Sequence, residues 1–158
     1  MVRILLVLSG SDHWTLNDGT RHPTGYWAEE FVVPHRTFRR KGVEVHVATP
    51  GGVRPTVDQM SLDPQRLGSD GKAADLRSYI DSIETELARP MPVEHAAGRA
   101  SGYDAIYIYI PGGHGPMEDL FRCAPLGEII TELHDAGRVV TAFCHGPRWV
   151  APGQPAGR

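Results

Sequence analysis

A cysteine and a histidine stand side by side where an apolar run ends near the C-terminus, in the stretch 143–147, Phe-Cys-His-Gly-Pro. The run 139–143 is typical of a buried strand, and proline is common in the first turn of a helix. A thiol at such a strand-to-helix turn takes the place of the serine in a nucleophile elbow. Helix N-termini lower the pKa of a cysteine from about 8.5 to roughly 3.5–7.5, which favours the reactive thiolate. We therefore predict that Cys144 is a nucleophile.

Backbone N–H groups near Cys144 are candidates for an oxyanion hole. His145 follows the cysteine, so its N–H can donate to an oxyanion while its ring orients or accepts a proton. The glycine loop, residues 111–115 with the sequence Pro-Gly-Gly-His-Gly, follows a second apolar run and offers unobstructed N–H groups, that of Gly113 among them. His114 in this loop is a candidate for contact with a substrate. Because both stretches follow strands of one predicted sheet, we expect them to meet at the same edge.

Other residues of the same types are assigned structural roles. Cys123 lies in a segment that connects helices, and buried cysteine often serves as a small hydrophobic residue. That role is also the alternative for Cys144, but its position at a strand end favours the nucleophile. The remaining histidines lack the spacing of a helical metal pair, so we predict no metal site.

Strand and helix patterns alternate along the chain and would position these residues. The polar segment 9–24 is predicted to be a long loop, in which Trp14 and His13 are candidates for a pocket wall. The alternation predicts an α/β layered domain with a mainly parallel sheet and right-handed crossovers. The predicted strands are 2–8, 43–48, 103–110 and 139–143, and the predicted helices are 25–41, 76–87 and 126–136.

Length and charge restrict the class of protein. With 158 residues, of which 41% are hydrophobic and 22% charged, we predict one domain, residues 1–158. A formal net charge of −3 provides no basic field for phosphates, so nucleic acid is not an expected partner. No apolar run approaches the roughly 20 residues of a membrane span, and nothing resembles a signal peptide. We expect a soluble, cytoplasmic protein without a membrane partner.

Three segments, 24–31, 111–117 and 142–147, together resemble the ThiJ/PfpI superfamily, which has a class I glutamine amidotransferase-like fold. The similarity runs in order from residue 1 to about residue 147. It is greatest to the branch of heat-shock chaperones, glutathione-independent glyoxalases and protein deglycases. The resemblance implies a flavodoxin-like three-layer sandwich, and homodimers are common among its members.

The same resemblance implies roles for individual residues. Cys144 would be the nucleophile, His145 its adjacent histidine, and a glutamate of the first helix would hydrogen-bond the cysteine. Glu29 and Glu30 compete for that place, and the family spacing from Gly25 selects Glu30, which leaves Glu29 as a solvated charge. Burial beside a thiolate pushes a carboxyl group toward its protonated form, from which Glu30 can donate a hydrogen bond.

The reaction that the resemblance implies begins with attack of Cys144 on methylglyoxal, ends with lactate, and needs neither an organic cofactor nor a metal. Glycated adducts are the substrates in the deglycase description of the family. Two alternatives are kept open. One is a stress-response holdase chaperone for unfolded clients, or a redox sensor at Cys144, without turnover. The other is a PfpI-type cysteine peptidase.

Members of this branch continue for several strands and helices beyond the Cys-His-Gly-Pro turn, whereas this sequence continues only to Arg158. Two prolines, Pro152 and Pro155, disfavour the helix that should follow the elbow. We therefore expect a domain that lacks its C-terminal strands and helices. Without that helix the activation of Cys144 is weakened, and the chain is a candidate for a truncated, inactive form.

Overall fold

The computed structural model describes residues 2–100, 109–110 and 113–144. The predicted strand 103–110 is therefore described only at its last two residues. The strands of the described residues are β1 (Arg3–Val7), β2 (His13–Thr15), β3 (Arg21–Pro23), β4 (Glu44–Thr49), β5 (Met91–Pro92), β6 (Tyr109–Ile110) and β7 (Thr141–Ala142). The α-helices are α1 (Ala28–Arg40), α2 (Pro64–Leu67), α3 (Asp70–Ser82), α4 (Glu84–Leu87), α5 (Val93–Ala96) and α6 (Ala124–Asp135).

A five-stranded sheet in the order β5-β4-β1-β6-β7 lies at the centre, and its strand pairs are parallel. Its middle strand, β1, is a continuous apolar run in which the residues from Ile4 to Val7 are at most 1% exposed. Such runs are typical of strands covered on both faces. The predicted α/β class with a mainly parallel sheet is confirmed.

Helices cover both faces of the sheet, because successive side chains of a strand point to opposite sides. Leu5 and Val7 pack in a cluster with residues of α5 and α6. Ile4 and Leu6 pack in a second cluster with residues of α1 and α3. The result is the three-layer sandwich predicted from the sequence. Among the described helices, none combines the length and apolar character needed to cross a membrane.

The N-terminus of α1 is capped by a residue from another part of the chain. The backbone N–H of Ala28 donates to Oγ of Ser61 at 2.9 Å, and that hydroxyl donates to the carbonyl oxygen of Asp58 at 2.5 Å. No cap comes from Trp27, the residue before the helix. Free N–H groups at a helix start require such acceptors. The entry of α1 is therefore fixed to the segment around residue 60.

The prediction of an unbroken loop over 9–24 is wrong. β2 and β3 form an antiparallel hairpin in which Trp14 pairs with His22. The turn is closed by two backbone hydrogen bonds, from Leu16 N–H to the Thr20 carbonyl and from Gly19 N–H to the Leu16 carbonyl, both 2.9 Å long. Each strand has only three residues, and their polar side chains lack the apolar alternation that normally reveals a strand.

The predicted helix 76–87 has different bounds in the structure. It begins earlier, as α3, where the Ser69 hydroxyl accepts a hydrogen bond from the Lys72 N–H at 3.3 Å. It is interrupted at Ile83, before α4 begins. The sequence predicts the helix only from its apolar residues, which begin at residue 76. The first turns of α3 are polar and give no such signal.

A buried histidine joins α1 to α3 and α4. The side chain of His35 is fully buried, with Nδ1 2.8 Å from the Tyr79 hydroxyl and Nε2 3.3 Å from Oε1 of Glu86. The other carboxylate oxygen of Glu86 accepts from Arg39 at 2.7 Å. Burial alone would raise the pKa of Glu86, but the hydrogen bond and charge of His35, together with Arg39, bring this pKa below its usual value of 4.5.

Glu86 should make the stability of the protein sensitive to acid. A carboxyl group whose pKa is lower in the folded than in the unfolded chain stabilises the fold above the unfolded pKa, and this stabilisation is lost as pH falls through the folded value. We expect the free energy of unfolding of the unmodified protein to fall more steeply below pH 4.5 than that of Glu86→Gln. Urea titrations at a series of pH values measure both slopes, and parallel curves would contradict this role of Glu86.

The backbone at Gly25 leaves no space for a side chain. A Cβ atom there would overlap the carbonyl oxygen of Thr56. The same oxygen accepts a hydrogen bond from the Tyr26 N–H at 2.9 Å. We expect Gly25→Ala to lower the free energy of unfolding by about 1–3 kcal/mol, because the two segments must separate.

The matched control for this substitution is Gly127→Ala. Gly127 lies in α6, and a Cβ atom there would meet nothing within 4 Å. Replacing an open helical glycine by alanine should raise the free energy of unfolding by about 0.5–1 kcal/mol. Urea denaturation of both variants provides the comparison, and equal effects of the two substitutions would refute the steric explanation.

Candidate functional site

Cys144 lies just beyond the carboxyl end of β7, in a turn with an unusual backbone. Its φ angle is 54°, and within the described part of the chain it is the one non-glycine residue with positive φ. This left-handed conformation is strained for residues with a Cβ atom, and such strain often accompanies functional positions. The thiol is exposed, so a small molecule can reach it.

The glycine loop and Cys144 open at the same edge of the sheet, as predicted. β6 and β7 are parallel neighbours, with Ile110 paired to Ala142. Gly113 therefore follows one strand by three residues, and Cys144 follows its neighbour by two. His145, the predicted second donor and proton acceptor, lies outside the described residues, as do Pro111 and Gly112 of the loop.

Gly113 brings the loop against the entry of α1. Its φ angle is 101°, and a Cβ atom at this position would fall on the carbonyl oxygen of Gly25. Gly115 makes a similar approach, since a Cβ atom there would lie 2.6 Å from the hydroxyl oxygen of Ser9, just after β1. Only glycine, which has no Cβ atom, allows these two close contacts. Gly113 and Gly115 therefore pack against the start of α1 and the end of β1.

Glu30 lies in the first turn of α1, five residues after Gly25. It is partly buried, whereas Glu29 is exposed. The helix entry that carries this carboxyl group is the one that contacts Gly113. Glu30 is thus the less exposed of the two glutamates, and its role beside Cys144 stays a prediction.

The hairpin packs its aromatic side chains on His114. The Trp14 ring is stacked with the His114 ring at a centroid distance of 5.2 Å and an interplanar angle of 20°, while His22 meets His114 edge-on at 6.0 Å. The backbone N–H of His114 donates to the Thr24 hydroxyl at 3.2 Å, and this hydroxyl donates to the buried carboxylate of Asp58 at 2.9 Å. Trp14, predicted as a pocket-wall residue, thus lies beside the glycine loop.

Two acidic residues after the glycine loop hold it in place. Glu118 accepts hydrogen bonds from the N–H and hydroxyl of Thr15 at 2.8 and 2.9 Å, which lower its pKa. Asp119 accepts from the Ser9 hydroxyl at 2.8 Å and from the Gly10 N–H at 2.7 Å. Burial raises the pKa of Asp119, although these hydrogen bonds oppose the rise. Both carboxylates fix the loop to the segment after β1.

Asp58, Glu118 and Asp119 were not identified from the sequence. Each of them contacts a residue more than 30 positions away, from Thr24 to Asp58 and from Thr15 to Glu118. No local pattern distinguishes these acids from solvated ones. The nearest signal was the position of Glu118 and Asp119 directly after the glycine loop.

Cys123 differs from Cys144 in its surroundings. It precedes α6 and packs against the cluster of Leu5 and Val7, and burial raises the pKa of its thiol. It is therefore a thiol at neutral pH, in keeping with the structural role predicted for it. Among the described residues, no three His, Cys, Asp or Glu side chains are grouped so that they could hold a metal ion.

Comparison with known proteins identifies relatives of this chain. The family described as ThiJ/PfpI family-like matches residues 22–156. Glyoxalase 3 of Candida albicans is 29% identical over 147 residues, which are 93% of this chain and 59% of that protein. A more distant relative, the protein/nucleic acid deglycase HchA of Pseudomonas aeruginosa, is 22% identical over 147 residues, covering 92% of this chain and 48% of HchA.

A solved structure extends the likeness to the fold. The crystal structure of glyoxalase III from Candida albicans superimposes with a TM-score of 0.72 and 28% sequence identity, over 94% of this chain and 59% of that chain. The chain thus spans less than two-thirds of the length of these relatives. The family match covers most of the sequence, from β3 through the glycine loop and Cys144. The chain belongs to the ThiJ/PfpI family.

Proposed function

We propose that the chain carries the nucleophile and oxyanion loop of a glyoxalase or deglycase site, in which Cys144 attacks methylglyoxal or a glycated adduct. The observation that supports this most directly is the left-handed backbone of Cys144 at the end of β7, next to the strand that leads to Gly113. The names of the relatives, glyoxalase 3 and protein/nucleic acid deglycase, agree with this chemistry.

The first step is addition of the Cys144 thiolate to the aldehyde carbon of methylglyoxal. A C–S bond forms and the carbonyl π electrons move to oxygen, where the N–H groups of Gly113 and His145 stabilise the negative charge. Protonation of that oxygen gives a hemithioacetal. The seating of Gly113 against Gly25 keeps this part of the loop in one position, so the donor needs little rearrangement during the reaction.

The second step transfers hydrogen between the two carbons of the adduct. Glu30 or His145 removes the proton from the hemithioacetal carbon and returns a proton to the neighbouring carbon, giving a lactyl thioester. The aldehyde carbon is oxidised and the ketone carbon is reduced, so no external oxidant or reductant is needed. Water then attacks the thioester carbonyl, the C–S bond breaks, and lactate leaves with regeneration of the thiol. For a glycated adduct such as an aminocarbinol, the same thiolate attacks the carbon that bears the nitrogen. A C–S bond forms, the C–N bond breaks, and the amine leaves with a proton, which gives the same hemithioacetal.

Replacing the nucleophile should abolish turnover. We expect Cys144→Ala to lower lactate formation from methylglyoxal at least about 100-fold, because no covalent adduct can form. Cys123→Ala is the matched control and should retain the activity, since its thiol is half-buried against the core. An enzymatic assay for lactate, run on the 158-residue chain, makes the measurement. Equal turnover in Cys144→Ala and in the unmodified chain would contradict the proposal.

The paired glutamates of α1 provide a test of the proton-transfer residue. We expect Glu30→Gln to lower kcat about 10²–10⁴-fold, because an amide cannot remove or return a proton. Glu29→Gln removes the same charge from the adjacent, exposed position and should leave kcat unchanged. Steady-state kinetics with methylglyoxal separate the two variants. A loss of similar size in both would show that the charge of the helix end, and not proton transfer by Glu30, is responsible.

A further inference from the structure

A cleft with a volume of about 570 Å³ lies between the C-terminal turns of α1 and the second half of α3. This volume is within the range of small-molecule sites, about 300–1,000 Å³. The arginines of the cleft follow Glu30 by six to ten positions on α1, which is about 9–15 Å along the helix. None of Glu30, Gly113 and Cys144 lines the cleft, so it is separate from the site proposed around Cys144. Its lining includes Arg36, Arg39, Arg40, Asp75, Ser78 and Tyr79.

The charges in and around the cleft leave an excess of one positive charge. Nη1 of Arg36 is 2.8 Å from Oδ2 of Asp75, and Nη2 of Arg39 is 2.7 Å from Oε2 of Glu86. Each of these carboxylates offsets one guanidinium group. Arg40 has no ion pair with a carboxylate of the described residues, so its charge is available to a ligand.

Arg36 is held rigidly and retains an unused donor. Its guanidinium carbon lies 4.5 Å from the centroid of the Tyr79 ring, a cation–π arrangement that fixes the plane of the group. Tyr79 is itself fixed by its hydroxyl contact with the buried His35. The Nε atom of Arg36 is buried and has no hydrogen-bond acceptor among the described residues. A buried donor without an acceptor is rare. Because Nε itself has no accessible surface, a ligand in the cleft would contact the accessible part of the Arg36 side chain, which is 23% exposed.

The position of these residues at the end of α1 offers a partial alternative. Arg39 and Arg40 lie in the last turn, where positive charge stabilises a helix through its dipole. The helix dipole therefore explains why positively charged residues occur at this end of α1. It does not account for the buried Nε of Arg36, nor for the open space between α1 and α3 on which the three arginines border.

We propose that this cleft binds a small phosphate ester, such as a sugar phosphate or a nucleoside monophosphate. Guanidinium groups hold phosphate oxygens through paired, charge-assisted hydrogen bonds, and a group fixed against an aromatic ring loses little freedom on binding. Ser78 adds a hydroxyl to the lining. The carboxylate of Asp75 and the overall charge of −3 disfavour a long polyanion, so the ligand is a small molecule.

The test is a calorimetric titration of the 158-residue chain with inorganic phosphate, glucose 6-phosphate and AMP at constant ionic strength. Glucose and adenosine serve as controls without phosphate. We expect one site per chain, a Kd of about 1 mM or tighter for at least one ester, and no binding of the controls. The ester that binds more tightly, glucose 6-phosphate or AMP, shows whether the ligand is a sugar phosphate or a nucleoside monophosphate. Absence of binding by all three phosphates would overturn the proposal.

Substitutions locate the site. Arg36→Gln and Arg40→Gln should each weaken binding about tenfold, since each removes a charged donor. Arg66→Gln, in the exposed helix α2 and outside the cleft, is the matched control and should bind like the unmodified chain. Arg40 is exposed, so its variant remains informative if Arg36→Gln fails to fold. Equal weakening by Arg66→Gln, or unchanged binding in Arg40→Gln, would show that the cleft is not the site.

Discussion

Backbone segments approach one another around Gly25 and Gly113 so closely that a Cβ atom at either position would overlap a carbonyl oxygen. The approach joins the entry of α1, the glycine loop and the strip around Thr56, which exchanges backbone hydrogen bonds with Tyr26. The relative positions of the first helix and of the loop after β6 are set by this contact. This contact therefore determines where two parts of the candidate site lie relative to each other: the helix turn that carries Glu30 and the backbone around Gly113.

Polar contacts around the loop stiffen this arrangement without joining in the chemistry. Asp119 and Glu118 hold the segment after the loop to Gly10 and Thr15, and Asp58 holds Thr24, which accepts from the loop. Burial of a carboxylate is costly unless its oxygens are hydrogen-bonded, and the partly buried Asp119 has hydrogen bonds to both oxygens. These acids therefore hold the described part of the glycine loop and the residues after it against the segments that follow β1.

The sequence predicted the parts of the fold whose signals are local. The apolar run of β1 and the helical spacing of α1 and α6 depend on neighbouring residues, and the structure agrees with them to within a few positions. The hairpin of β2 and β3 has short, polar strands without apolar alternation, and its contacts with Glu118 and His114 come from about 100 residues away, so no local signal predicts it. For the same reason the motifs around Gly113 and Cys144 could be recognised from their residue types, whereas the acids that hold the loop could not. Burial, which separates Glu30 from Glu29, is likewise a tertiary property.

The place of β7 in the sheet has a consequence for the order of folding. β7 pairs with β6, and β6 in turn pairs with β1, so the strand before Cys144 can dock only after the preceding one has been inserted. Contacts between distant parts of a chain form late, because loop closure must precede them, and synthesis also delivers the N-terminal part first. The helix entry, the hairpin and the glycine loop are all made before the thiol emerges from the ribosome. The thiol of Cys144 is thus added to a sheet whose preceding strands, β1 and β6, come earlier in the chain.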